Sequence, residues 1–188
     1  MKEHPADGTE PVARARKGWT KVAPEVFFAR AMAAYSVYYD VERAGATPPF
    51  DAEARFSTRE SRYFLTRRLP LSEEASHERV YFALRARLER EELDALHALA
   101  WERGLAEARP GPDHKCTDVT LFVVAGTVAA ELKGRVRAYT HSKLYRFGLW
   151  GFSNYRLAVV ETSTGTAFLN RHGRVLAKLV ENLWQAAG

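Results

Sequence analysis

Between Leu132 and Val180 the chain carries nine lysines or arginines, at positions 133, 135, 137, 143, 146, 156, 171, 174 and 178, against one acid, Glu161. The stretch therefore has a net charge of +8 (9 − 1) in a chain whose total is +5. Lys143, Arg146 and Arg156 interleave there with Tyr145, Phe147, Trp150, Phe152 and Tyr155. Aromatic rings offer stacking faces, and guanidinium groups offer paired donors to phosphate oxygens. The chemistry expected is binding of an anionic partner, either nucleic acid or a phosphorylated ligand. Lys143, Arg146, Trp150, Arg156 and Arg171 are the candidate contacts. The competing reading places the aromatics in a core and leaves the basic residues as an ordinary solvated face.

Other constellations are weaker. Divalent-metal nucleases set carboxylates and a lysine on neighbouring strand positions, so that metal and water meet the scissile phosphate. Asp51, Glu53 and Glu161 are the carboxylates that could serve here. The order of elements loosely resembles the core of restriction-endonuclease-like nucleases, which carry an Asp followed by Glu-x-Lys on the next strand. This chain offers Asp51-x-Glu53-x-Arg55 on one strand and no Glu-x-Lys after it, so a solvated strand face is the expected reading. Asp113-His114-Lys115-Cys116 supplies two metal-ligand types, short of the four that a closed zinc site needs, and the other histidines show no paired spacing. No metal or cofactor is expected. Ala125-Gly-Thr127 stands at an expected strand-to-helix turn but lacks the glycine spacing of a nucleotide-binding loop. No catalytic motif stands out, so a non-enzymatic domain is expected.

The positioning elements follow from periodicity. Phe27, Phe28, Ala31, Met32, Tyr35, Tyr38 and Tyr39 recur at steps of three and four and predict a helix over 24–41, with Pro24 in its first turn. This stripe is expected to be core; the alternative is a homo-oligomer contact through Phe27, Phe28, Met32, Tyr35 and Tyr39. Phe50, Ala52, Ala54 and Phe56 alternate with charged residues and predict a half-buried strand, with Arg62–Leu69 as its hairpin partner. After an acidic loop over 72–78, Val80, Phe82, Leu84 and Ala86 predict a third strand. A helix over 87–108 follows, carrying Leu93, Leu96, Leu99 and Trp101. Thr117–Ala125 is the most apolar strand and is expected at the centre of the sheet. A helix over 128–140, N-capped by Thr127, buries Ala129, Leu132, Val136 and Tyr139. Strands at 155–161 and 166–170 and a helix over 174–184, burying Val175, Leu176, Leu179, Val180 and Leu183, close the pattern. The fold class expected is α+β with a three-layer tendency. It has one mixed sheet of about five or six strands packed with helices, and one β-α-β crossover.

Composition bounds the rest. With 46% hydrophobic residues in 188, the chain can bury a core without disulfides, and its one cysteine excludes an internal bridge. Residues 1–22, rich in Pro, Gly and charge, are expected to form a flexible tail ahead of a single domain over 23–188. No apolar run suggests a signal peptide or a membrane span, so a cytoplasmic location without membrane partners is expected.

Ser142-Lys-Leu-Tyr-Arg-Phe-Gly-Leu-Trp-Gly-Phe-Ser153, Tyr155-Arg-Leu157, Thr164-Gly-Thr166 and Asn170-Arg-His-Gly173 together resemble a pattern in small bacterial proteins grouped as a domain of unknown function. The resemblance runs from about Phe50 to Val180. It implies a self-contained domain and no particular activity. It also implies that Gly148, Trp150, Gly151, Arg156, Asn170 and Gly173 belong to one built feature.

Overall fold

The computed structural model describes residues 13–14, 21–43, 45–57, 75–112 and 114–185. Its elements run β1 (Ala13–Arg14), α1 (Pro24–Tyr35), β2 (Asp40–Glu42), β3 (Ala52–Ser57), β4 (Ala75–Leu88), α2 (Arg90–Glu107) and β5 (His114–Val128). They continue with α3 (Ala130–Lys133), a 3-10 turn (Val136–Ala138), β6 (Ser142–Leu144), a second such turn (Arg146–Gly148), β7 (Phe152–Glu161) and β8 (Thr166–Leu169). A third 3-10 turn (His172–Leu176) leads into α4 (Ala177–Gln185). One mixed sheet, ordered β1-β8-β7-β5-β4-β3-β2 with β6 added to β7, confirms the α+β class.

Parallel pairing joins β4 to β5 and β5 to β7. Every other pairing is antiparallel. There are therefore two β-α-β crossovers, through α2 and through α3, where the sequence led us to expect one. β5 lies at the centre as its near-continuous apolar run requires. Alternation then sorts the side chains into two cores. Val80, Phe82, Phe122, Val124, Ala158 and Val160 meet α1 and α4, whereas Tyr81, Ala83, Leu121, Val123, Leu157 and Val159 meet α2 and α3. The result is three layers.

Several boundaries differ from the sequence expectation. α1 stops at Tyr35, and Asp40–Glu42 forms edge strand β2 instead. The strand expected at 62–69 lies outside the described residues. The antiparallel neighbour of β3 is β4, which begins inside the expected acidic loop. Its Glu78 faces the same core side as Val80, and a charged inward residue hid the alternation. The helix expected over 128–140 is one α-turn and one 3-10 turn, because Gly134 ends the first after four residues. Leu132 and Val136 are nonetheless buried. Thr127 is not an N-cap: it is paired in β5, and Ala129 holds the cap position. Gly126 is a close-approach residue, since a Cβ there would stand 2.6 Å from the Ala86 carbonyl oxygen of β4. The last helix starts at Ala177 after the 3-10 turn, which leaves Val175 exposed. Within the expected tail, Ala13 and Arg14 pair with β8.

Candidate interaction loop

β6 and the start of β7 form a hairpin in which Ser142, Lys143 and Leu144 face Asn154, Ser153 and Phe152. The connecting loop, Tyr145–Gly151, closes on itself. The Tyr145 amide donates to the Gly151 carbonyl (3.0 Å), and the Tyr145 carbonyl accepts from Gly148 (2.9 Å) and Trp150 (3.1 Å). This closure forces the backbone left-handed at Arg146 (φ 45°) and Phe147 (φ 57°) as well as at Gly148 and Gly151. A non-glycine residue in that region costs about 1 kcal/mol or more, so the loop holds a conformation that local preference opposes.

The loop is anchored from below. His114, buried at the start of β5, donates from Nδ1 to the Trp150 carbonyl (2.8 Å), while its Nε2 accepts from the Thr117 hydroxyl (2.9 Å). Gly151 sits so close that a Cβ would lie 2.4 Å from the Lys115 carbonyl oxygen, and its φ of 77° suits glycine. The Tyr145 hydroxyl shares a hydrogen bond with Ser153 (2.9 Å). Beneath the hairpin Asn170, with no exposed surface, uses its whole amide. Its oxygen accepts from the Leu157 and Gly173 amides, and its nitrogen donates to the Tyr139 and Tyr155 carbonyls.

Anchoring on one side leaves the other side bare. Phe147 is fully exposed, Leu149 is 79% exposed and Leu144 67%. The Arg146 guanidinium covers the Trp150 ring at 4.2 Å, and the Lys143 ammonium lies 5.4 Å from the Tyr145 ring. The His172 ring reaches Ser142 (Nε2 to Oγ, 3.3 Å), and Arg171, just before that 3-10 turn, and Arg174, within it, are exposed. Lys143, Arg146, Arg171 and Arg174 pair with no carboxylate among the described residues. Lys143 and Arg146 lie on the same hairpin as an exposed apolar tip of Leu144, Phe147 and Leu149. That tip was not identified as exposed from the sequence. The paired glycines at 148 and 151 were the available signal, because they mark a turn that throws its side chains outward.

Arg156 is not part of this surface. It points to the α1 and α4 face of the sheet and bridges Glu78 (3.1 Å) and Asp118. Glu78 also accepts from the Tyr39 and Thr120 hydroxyls, both at 2.7 Å. Two carboxylates share one guanidinium in a largely buried place. Burial pushes the Asp118 carboxyl above its ordinary range, Arg156 lowers it, and Glu78 raises it again. Lys133 is likewise engaged, with Glu161 at 2.8 Å. Burial alone would raise the Glu161 carboxyl, but Lys133, the Thr164 hydroxyl and the Val128 amide outweigh it and hold it low.

Asp51, Glu53 and Glu161 do not converge. The Asp51 carboxylate accepts from Arg85 (2.8 Å) and the Leu84 amide (2.9 Å), and that of Glu53 from the Thr47 amide (3.1 Å). Glu161 lies three strands away, about 14 Å at the usual strand spacing. Phe27, Phe28, Met32 and Tyr35 are inside the core and Tyr39 packs against it, whereas Tyr38, expected in the same stripe, is exposed because α1 ends at Tyr35. His114 has both ring nitrogens engaged, and burial pushes the Cys116 thiol up, away from a reactive thiolate. Asp113 lies outside the described residues. Among the described residues no three His, Cys, Asp or Glu side chains form a metal-holding group, and no helix is long and apolar enough to cross a membrane.

No curated protein and no solved structure matches the chain. A family model does, over residues 24–182, and its span takes in α1 and the whole sheet from β2 to β8. The match covers the hairpin, its His114 and Asn170 anchors and the Arg156 cluster together, and the chain belongs to the family described as a domain of unknown function, DUF8052.

Proposed function

We propose that the protein is a non-enzymatic, cytoplasmic binding domain whose β6–β7 loop engages an anionic partner, single-stranded nucleic acid foremost. One observation carries this reading. A strained, anchored loop holds Phe147 fully exposed on a hairpin that also carries Lys143 and Arg146. An unstacked base can lie on the bare Phe147 ring while the cations meet the flanking phosphates, a combination that serves single strands without sequence preference. A duplex, whose bases are already stacked, gives Phe147 no partner.

The test is fluorescence anisotropy of labelled single- and double-stranded oligonucleotides at several salt concentrations. If about three cations neutralise phosphates, the logarithm of affinity should fall with the logarithm of salt at a slope near −2. Phe147→Ser and the pair Lys143→Glu with Arg146→Glu should each weaken binding by about tenfold or more, with melting temperatures unchanged. Salt-independent binding, or variants that bind like the parent, would remove the loop from the reading. Binding to anionic lipid vesicles without binding to oligonucleotides would replace nucleic acid by a membrane surface.

A further inference from the structure

We propose that His97 and His141 form a two-imidazole site for a transition metal ion of the Zn²⁺, Ni²⁺ or Cu²⁺ class. The two residues come from distant parts of the chain. His97 lies on α2, and His141 immediately precedes β6, where its carbonyl accepts from the Tyr155 amide (2.9 Å). Their Nε2 atoms stand 3.0 Å apart. Two neighbouring ligands held about 2.1 Å from one ion at a right angle are separated by about 3.0 Å, since 2.1 × √2 ≈ 3.0. The nitrogens are thus already at the spacing of adjacent coordination positions.

The free pair shares a hydrogen bond at this distance, which a bound ion would replace. Metal binding requires neutral imidazole. The two rings lie within 14° of parallel with centroids 4.8 Å apart, so both Nε2 edges face the gap between them. His97 Nδ1 is buried without a hydrogen-bond partner. In the tautomer with its proton on Nδ1, the His97 Nε2 lone pair is free to accept from His141 or to meet an ion. His141 is exposed, so water or a second ligand can complete the coordination shell. Its ring lies nearly parallel to Trp101, one helical turn beyond His97, with centroids 5.2 Å apart. Asp94, a turn earlier on α2, accepts from the Tyr139 hydroxyl and adds negative charge near the pair. An ion here would tie α2 to the base of the β6–β7 hairpin. The inference is independent of what the loop binds.

Trp101 makes the site observable. Cu²⁺ or Ni²⁺ alone, titrated into the metal-free full chain, should quench tryptophan fluorescence saturably with one ion per chain, and Zn²⁺ should compete. His141→Ala and His97→Ala should each weaken binding by about tenfold or more, whereas His4→Ala and His172→Ala should not. Because His141 is exposed, its variant keeps the fold even if the His97 variant does not. Quenching that persists unchanged in His141→Ala, or that never saturates, would overturn the proposal.

Discussion

Replacing Arg156 by methionine should unfold the protein more readily and should leave partner binding intact at temperatures where the variant is folded. Arg156 is the sole cation bonded to Glu78 and Asp118 among the described residues, and the side chains of the three are only 20%, 12% and 12% exposed. Removing one partner of a buried ion pair costs about 3–5 kcal/mol, because the remaining charge keeps its desolvation penalty without its compensation. The partial exposure of Arg156 places the expectation at the lower end, about 3 kcal/mol. For a chain of this size that corresponds to a fall in melting temperature of about 6–12 °C. The pH dependence supplies an internal check. Burial already raises the Asp118 carboxyl, and without the guanidinium it rises further. An acid whose folded pKa is raised adds stability below its unfolded pKa and loses it as pH climbs through the folded value. The deficit of the variant should therefore be greatest at neutral pH and should shrink on acidification below about pH 5. Adding Glu78→Gln and Asp118→Asn to Arg156→Met should restore most of the loss at neutral pH. Thermal melts from pH 4 to 8, followed by circular dichroism, read all of this. An Arg156→Met chain as stable as the parent that has lost oligonucleotide binding would refute the reasoning and return Arg156 to the binding surface.

Glu161→Gln should destabilise by about 1–3 kcal/mol, since it breaks the pair with Lys133 and weakens the bond to the Val128 amide. Because the folded Glu161 carboxyl is held low, its contribution is full above the ordinary glutamate pKa and is lost as pH falls through the folded value. The difference between parent and variant should accordingly vanish in acid, which melts at stepped pH will show. Asn170→Ala leaves two amides and two carbonyls without their partner. A loss of about 3 kcal/mol or more is expected in urea unfolding, from the desolvation left unmatched at each buried group. Gly151→Ala should loosen the hairpin, because its Cβ would meet the Lys115 carbonyl at a left-handed φ. Faster amide exchange at Tyr145, Gly148 and Trp150, whose hydrogen bonds close the loop, is the signature; unaltered exchange there would mean that Gly151 does not set the loop.

Local pattern was sufficient for the class of fold and for most of its core. The 3.6-residue stripe from Phe27 to Tyr35, the run from Val119 to Val124 and the alternation from Phe50 to Phe56 each report burial through spacing alone. That signal needs no knowledge of neighbours. Charge was legible only as a sum. The sequence shows nine cations in one stretch but not which of them meet a carboxylate, because Glu78 and Asp118 reach Arg156 only after β4, β5 and β7 align side by side. The same holds for His97 and His141, 44 residues apart and in contact through the packing of α2 on the sheet. Exposure of Phe147 was likewise decided by tertiary structure. An aromatic residue among aromatics reads as core until His114 and Gly151 fix the loop and the closing hydrogen bonds turn Phe147 outward. Periodicity is a property of a segment, and it travels with the sequence. Ion pairing, imidazole contact and the outward turn of a loop are properties of which segments meet, and only the folded sheet settles that.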